Sequence, residues 1–192
     1  IDDSARDQLW PALVAGDGHA IRRMLVGLFV HGEPLPAIFD QLLGPALQRV
    51  GSEWEHGNVQ VFEEHRAIEL VQRALHEIRQ LLPGPSRGRR PTAVVATLSG
   101  DPYTVATTMA ELTLSEAGWS VTNLGPDNPA ETLVEAIVTL RPRLLCLGIN
   151  AVDDVVGFAT RYAMIADSAR EHRTAVVIGG VAATTDVRAK IR

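Results

Sequence analysis

The hydrophobic pattern of this chain changes period once, at the Pro- and Gly-rich stretch Pro83-Gly84-Pro85-Ser86, and that change decides what each side can fold into. Before it, from Ser4 to about Leu82, apolar residues recur at helical steps. They run Leu9 to Val14; then Ile21, Leu25 and Leu28; then Phe39, Leu43, Leu47 and Val50, ending at Trp54; then Val61, Ile68, Val71, Leu75, Ile78 and Leu82. Gly and Pro break the pattern near Gly16, between Gly32 and Pro36, and at Gly57. Each segment has one apolar stripe to bury, and four such stripes satisfy one another, so residues 1–82 predict a four-helix bundle. From Thr92 onward, short β-rich runs at 93–97, 120–124, 144–147 and 175–178 alternate with helical segments at about 104–117, 130–140 and 154–170. Strands apolar on both faces and joined by helices form a parallel sheet with helices on either side. Residues 92–192 therefore predict an α/β, Rossmann-like (flavodoxin-like) doubly wound sheet, with 83–91 as linker. Asn128 and Glu131 predict a capping box for the second of its helices, with Pro129 at the first helical position.

A chain of 192 residues with 46% hydrophobic content can bury a proper core. Its formal net charge of −5 argues against nucleic acid or an anionic membrane as the main partner, and Arg87, Arg89 and Arg90 fall in the solvated linker. Cys146 stands alone in an apolar run, which excludes a disulfide framework and a thiolate metal site and suits a reducing, cytoplasmic setting. No run reaches the roughly 18 apolar residues of a membrane span, and Ile1-Asp2-Asp3 does not open a signal peptide. There is no phosphate loop, no H-E-x-x-H, no plausible nucleophile triad and no helix-turn-helix with a basic face, so neither enzymatic activity nor direct nucleic-acid binding is expected.

Two places carry candidate binding chemistry. In open α/β sheets ligands bind beyond the carboxyl ends of the strands. The loops there read Leu98-Ser99-Gly100-Asp101-Pro102-Tyr103, Gly125-Pro126-Asp127, Gly148-Ile149-Asn150 and Gly179-Gly180-Val181. Glycine in every loop lets a bulky, flat ligand approach the backbone, although for any single loop a tight turn is the commoner reason for glycine. A dinucleotide would want G-x-G-x-x-G, which is missing. The second place is W-x9-E-H, formed by Trp54, Glu64 and His65 at the join of two helices. His65 falls in the apolar stripe of its helix, where an unpartnered imidazole costs roughly 1–3 kcal/mol, so a neighbouring carboxylate, a carbonyl or a ligand must engage it. Trp54, taken alone, reads as core.

A helical bundle with W-x9-E-H, followed by a Rossmann-like half with Asp101-Pro102-Tyr103-Thr104-Val105-Ala106, Gly148-Ile149-Asn150 and Gly179-Gly180, resembles the cobalamin-binding modules of the light-responsive MerR-family repressors. More distantly it is similar to those of methionine synthase and the corrinoid methyltransferases. Leu124-Gly125, Pro129 and Glu131 also fit. The resemblance implies adenosylcobalamin as cofactor. It places Trp54, Val61, Glu64 and His65 around the upper, adenosyl ligand, and Ser99, Gly100, Asp101, Tyr103, Thr104, Gly148, Ile149, Asn150, Gly179, Gly180 and Val181 around the corrin and its lower face. Where the family has its cobalt-ligating histidine stands Tyr103, where its glycine follows stands Ala106, and where the light sensors have a histidine after the tryptophan stands Glu55. The lower ligand is therefore open, and photoreceptors that place biliverdin beside cobalamin supply a variant reading. The implied function is a light sensor that controls an attached output domain or a homo-oligomeric interface, with one further strand expected after Arg192. A corrinoid carrier of a methyltransferase system and a degenerate, cofactor-free interaction domain are the alternatives.

Overall fold

The computed structural model describes residues 1, 3–82 and 90–191, and the chain divides into two compact units, Ile1–Pro83 and Gly84–Arg192. Residues 83–89, most of the expected linker, lie outside the described residues.

The first unit is helical. Its elements are α1 (Asp3–Ala15), α2 (Gly18–Val30), α3 (Leu35–Ile38), α4 (Gly44–Glu55) and α5 (Val61–Leu81), with residues 39–43 joining α3 to α4 as a single π turn. In that turn the Gly44 N–H donates to Phe39 O, five residues back, and a Cβ at Gly44 would lie 2.9 Å from that same oxygen. Pro45 follows and has no N–H for Gln41 O. Arg6 of α1 fills the gap, its Nε donating to Gln41 O at 2.9 Å. Between α1 and α2, Gly16 takes φ +73° and leaves room for Arg66, whose Nη2 donates to Val14 O at 2.7 Å and so satisfies a helix-end carbonyl. Leu9, Leu13, Ile21, Leu25, Ile38, Leu42, Leu75 and Ile78 are fully buried. The Arg49 guanidinium stacks 4.3 Å over the Trp10 ring, and Arg22 pairs with Glu77 of α5.

Two expectations change here. The packed face of α5 runs Ala67, Val71, Ala74, Leu75 and Ile78, while Val61 is exposed and the His65 side chain is 74% exposed. Two alanines form part of the buried stripe, because a small side chain lets a neighbouring helix come close, and they set its phase differently from the larger apolar residues. Trp54 is not core either: it is 46% exposed. The true capping box of this unit lies at Gln60 and Glu63, which tie the start of α5 reciprocally.

The second unit is the doubly wound sheet. It runs β1 (Thr92–Leu98), α6 (Val105–Glu116), β2 (Ser120–Asn128), α7 (Ala130–Leu140), β3 (Leu144–Gly148), α8 (Val155–Glu171), β4 (Ala175–Gly179) and α9 (Thr185–Lys190). The strands are parallel in the order β2-β1-β3-β4. The chain reverses direction across the sheet between β1 and β3, which is where such sheets open a crevice for ligands. One face of the sheet buries Val94, Ala96, Leu98, Leu145 and Leu147 against Leu133 and Ile137 of α7 and Phe158 and Ile165 of α8.

Strand β2 is longer than its sequence suggests. Gly125-Pro126-Asp127, expected as a loop, lies within it, across register shifts opposite β1. Asn128 is consequently not a cap. Its Nδ2 donates to Thr97 O, Gly125 O and Pro126 O, and Pro129 stands outside the helix as N-cap without a side-chain bond. Among the described residues no helix is long and apolar enough to cross a membrane.

Candidate functional site

Asp101 organises the carboxyl edge of the sheet. It is 3% exposed, directly after β1, and its carboxylate reaches across the switch point to the loop after β3: Asn150 N–H donates to Oδ2 at 2.6 Å and Asn150 Nδ2 to the same oxygen at 3.2 Å. Tyr103 N–H donates to Oδ1 at 3.2 Å. Three donors on one carboxylate hold the β1–α6 and β3–α8 loops at a fixed spacing. The carbonyl of Asp101 is used as well, accepting from Thr97 Oγ1 at 2.6 Å and from Asp127 N–H at 3.1 Å. Asp127 holds a left-handed φ of +58°, and its Oδ1 accepts from Gly100 N–H at 2.8 Å.

The glycines divide by what surrounds them. Gly180 has φ +121°, and a Cβ there would lie 2.3 Å from Ile149 O, so the turn after β4 presses against the loop after β3 and only glycine fits. At Gly148 a Cβ would meet Thr97 Cγ2 at 3.0 Å. Gly100, Gly125 and Gly179 differ: a Cβ on any of them would meet nothing within 4 Å. The backbone at the rim therefore faces open space, as a broad, flat ring lying on it requires. Tyr103 and Val181 project from this rim, both more than half exposed, and Thr104 stands at the N-cap position of α6 without a side-chain capping bond.

So the structure brings Ser99, Gly100, Asp101, Tyr103, Gly148, Ile149, Asn150, Gly179 and Gly180 to one edge of the second unit. Thr97 and Asn128 belong to the same hydrogen-bonded rim without having been read from sequence as binding residues, and Asp127 entered only as the end of the loop Gly125-Pro126-Asp127. The Gly-Pro-Asp-Asn run carries turn chemistry that points to Asp127 and Asn128, whereas Thr97 reads only as a strand residue.

In the first unit the end of α4 and the start of α5 carry the other candidate residues. Trp54, Val61 and Phe62 are all exposed there, Phe62 at 62%. In the first turns of α5, His65 Nε2 lies 3.5 Å from Glu64 Oε2. Asn58 fastens the turn, donating through Nδ2 to Glu53 Oε2 at 2.7 Å. Large apolar side chains left outside a core, next to a carboxylate and an imidazole, make a surface suited to a ligand with both apolar and hydroxyl-bearing parts. Among the described residues no group of three or more His, Cys, Asp or Glu is arranged to hold a bare metal ion. A metal that arrives inside its own macrocycle needs no such group.

Comparison with known proteins finds matches to each of the two units. Residues 5–79 match one family model described as B12 binding domain, and residues 91–192 match another of the same description. The chain is 32% identical over 146 residues to the HTH-type transcriptional repressor CarH of Myxococcus xanthus, across 76% of this chain and 48% of that protein. It is 28% identical over 185 residues to the repressor CarA of the same organism, across 96% of this chain and 60% of that one. It thus spans only about half of each of these relatives. Among solved structures, a monomethylamine corrinoid protein of Methanosarcina barkeri shares the fold, with a TM-score of 0.80 at 16% identity over 100% of this chain and 91% of that one. With both halves matched, the chain belongs to the B12 binding domain family and is a cobalamin-binding domain.

Proposed function

We propose that this chain is the sensory domain of a light-responsive protein, reading the upper ligand of adenosylcobalamin and passing its loss to an attached output domain or to an interface between copies of the chain. The observation that carries this reading is that Trp54 at the end of α4 and Val61 and Phe62 at the start of α5 are all left outside the bundle core, with Glu64 and His65 in the same first turns of α5. Trp54 offers an apolar, stacking wall, Glu64 an acceptor for ribose hydroxyls, and His65 a ring nitrogen that can orient either. When bound, the cofactor supplies a cobalt–carbon bond that light breaks. The side chains that hold the adenosyl group then lose their contacts, and a two-state element responds only to such a difference in contacts.

The second unit supplies the rim for the ring. Tyr103, half exposed where related sequences carry a ligating histidine, gives a phenol that is a poor ligand for soft corrinoid cobalt. That substitution disfavours the second reading, a corrinoid carrier for methyl transfer, which depends on tuning the metal from below. It also favours a variant in which biliverdin occupies space beside Tyr103 as a second chromophore.

The test is spectroscopic. The protein is loaded with adenosylcobalamin in the dark, its absorption recorded, and the sample illuminated. Photobleaching together with a change in oligomeric state or hydrodynamic radius is expected. A red absorption band after biliverdin is added supports the second chromophore. Trp54→Ala should weaken retention of the adenosyl form by about tenfold or more while leaving hydroxocobalamin nearly unaffected. Equal losses for both forms would overturn the assignment of Trp54 to the upper ligand, and a loaded protein inert to light would overturn the sensor.

A further inference from the structure

In the second unit the two ends of the parallel strands carry opposite charge. The residues at and beyond the carboxyl ends, 99–104, 125–129, 149–154 and 180–184, include Asp101, Asp127, Asp153 and Asp154 and no lysine, arginine or histidine. The residues that enter the strands, 90–91, 117–119, 141–143 and 172–174, include Arg90, Arg141, Arg143, His172 and Arg173 and no carboxylate. The carboxyl edge is the rim already described, and the amino edge takes no part in it.

The backbone sets these arginines in a row. β1, β3 and β4 are neighbours in the sheet, where strands lie about 4.8 Å apart. Arg143 N–H donates to Thr92 O at 2.9 Å, Ala175 N–H donates to Arg143 O at 3.0 Å, and Thr174 Oγ1 donates to Pro142 O at 2.8 Å. The entries to the three strands are therefore held as one piece. Arg141, Arg143 and Arg173 are exposed, and among the described residues their side chains make no hydrogen bond or ion pair. The acidic residues nearest in sequence are Glu116 and Glu171, in the last turns of α6 and α8, and Asp167, which Arg170 holds at 2.7 Å. Positive charge is in excess.

Helix-end electrostatics account for only part of this. Arg141 and Arg173 follow α7 and α8 at left-handed φ of +46° and +58°, where glycine is the usual residue. A side chain there costs about as much as a cation beside a helix carboxyl end returns. Arg143 ends no helix at all. Guanidinium forks recognise carboxylates and phosphates alike. The chain is at net charge −5 with these arginines counted, so its other faces are acidic on balance. A nucleic-acid duplex, with a charge about every 1.7 Å and a length far beyond three strands, would lie against those faces. A short extended peptide would not. Its alternate side chains repeat at about 6.7 Å, so three carboxylates on one face span about 13 Å, close to the width of three strands. We propose that the amino edge of the sheet docks an acidic segment of a partner protein, an extended run of alternating carboxylates held by Arg141, Arg143 and Arg173. It lies at the opposite end of the strands from the rim, so partner and rim ligand do not compete for the same residues.

The test titrates the full chain, without cofactor, against a fluorescent decapeptide of alternating Glu and Ser, against the same peptide with Gln for Glu, and against a DNA duplex of about 20 base pairs at equal salt. The glutamate peptide should bind at least about tenfold more tightly than the glutamine one and weaken as salt is raised. Arg143→Gln combined with Arg173→Gln should weaken it at least about tenfold while the chain melts within about 3 °C of wild type, and Arg23→Gln, in the first unit, should change its affinity less than about twofold. Equal binding of the two peptides, or a double variant that binds as wild type does, overturns the proposal. So does a duplex that binds more tightly than the peptide and weakens in the same double variant, which assigns the edge to nucleic acid. Should the double variant melt far below wild type, Arg143→Gln alone decides: a loss of at least about threefold is expected, and unchanged affinity overturns the docking surface.

Discussion

Replacing Asp101 by asparagine tests the rim at its most connected point. The carboxylate is nearly buried and accepts from Asn150 N–H at 2.6 Å, Asn150 Nδ2 at 3.2 Å and Tyr103 N–H at 3.2 Å. An amide of the same shape can keep one oxygen as acceptor, but its NH2 must face one of the two sets of donors. The change removes the negative charge and the equivalent of one charge-assisted hydrogen bond, worth about 2 kcal/mol. For a unit of about 110 residues the entropy of unfolding is roughly 0.23 kcal/mol/K, so the second unit should melt about 9 °C lower. Trp119 is the tryptophan of that unit, and its fluorescence follows the transition. Hydrogen exchange gives a local readout: the Asn150 amide should lose protection out of proportion to the rest of β3. A variant that melts within about 2 °C of wild type with Asn150 still protected would refute the argument that this carboxylate spaces the two loops.

Other outcomes follow from the same geometry. Gly180→Ala forces a side chain into φ +121° and against Ile149 O, and should cost about 3 kcal/mol or more, visible as a lowered urea midpoint and lost cobalamin uptake. Gly16→Ala should cost about 2 kcal/mol, because its Cβ would lie 2.3 Å from Arg66 Nε and displace Arg66 from Val14 O; Gly32→Ala, also at positive φ but with nothing within 4 Å, should cost about half as much. Burial pushes the Cys146 thiol up, so less of it is thiolate at any given pH. Alkylation at pH 8 should therefore run well below the rate of glutathione, measured by mass spectrometry, and a rate equal to glutathione would contradict the burial.

Much of this was legible in the chain because period and burial agree. The strand cores at 93–97, 144–147 and 175–178 and the helices between them are set by local patterns that long-range contacts reinforce. The failures share one cause. Strand β2 continues past Gly125 and Pro126 because Asp127 N–H finds Thr97 Oγ1 and Asp101 O on the neighbouring strand and loop, about thirty residues away, which no local propensity reports. The phase of α5 turns on Ala67 and Ala74, residues that count for little on a hydrophobicity scale and for much where helices touch, and His65 left the buried stripe as a result. Asp101 and Asn150 were both singled out, but their bond spans 49 residues and only the fold makes it.

The π turn at residues 39–43 has a consequence for where the indole ends up. An inserted residue of this kind advances everything downstream by about 100° around the helical axis. Both the inward Val50 and the outward Trp54 take their azimuth from that upstream offset. A lineage that lost one residue there would keep its tryptophan in the alignment and yet swing it off the exposed face it occupies here, so homologues of this domain are better compared by helical phase than by the letter at position 54.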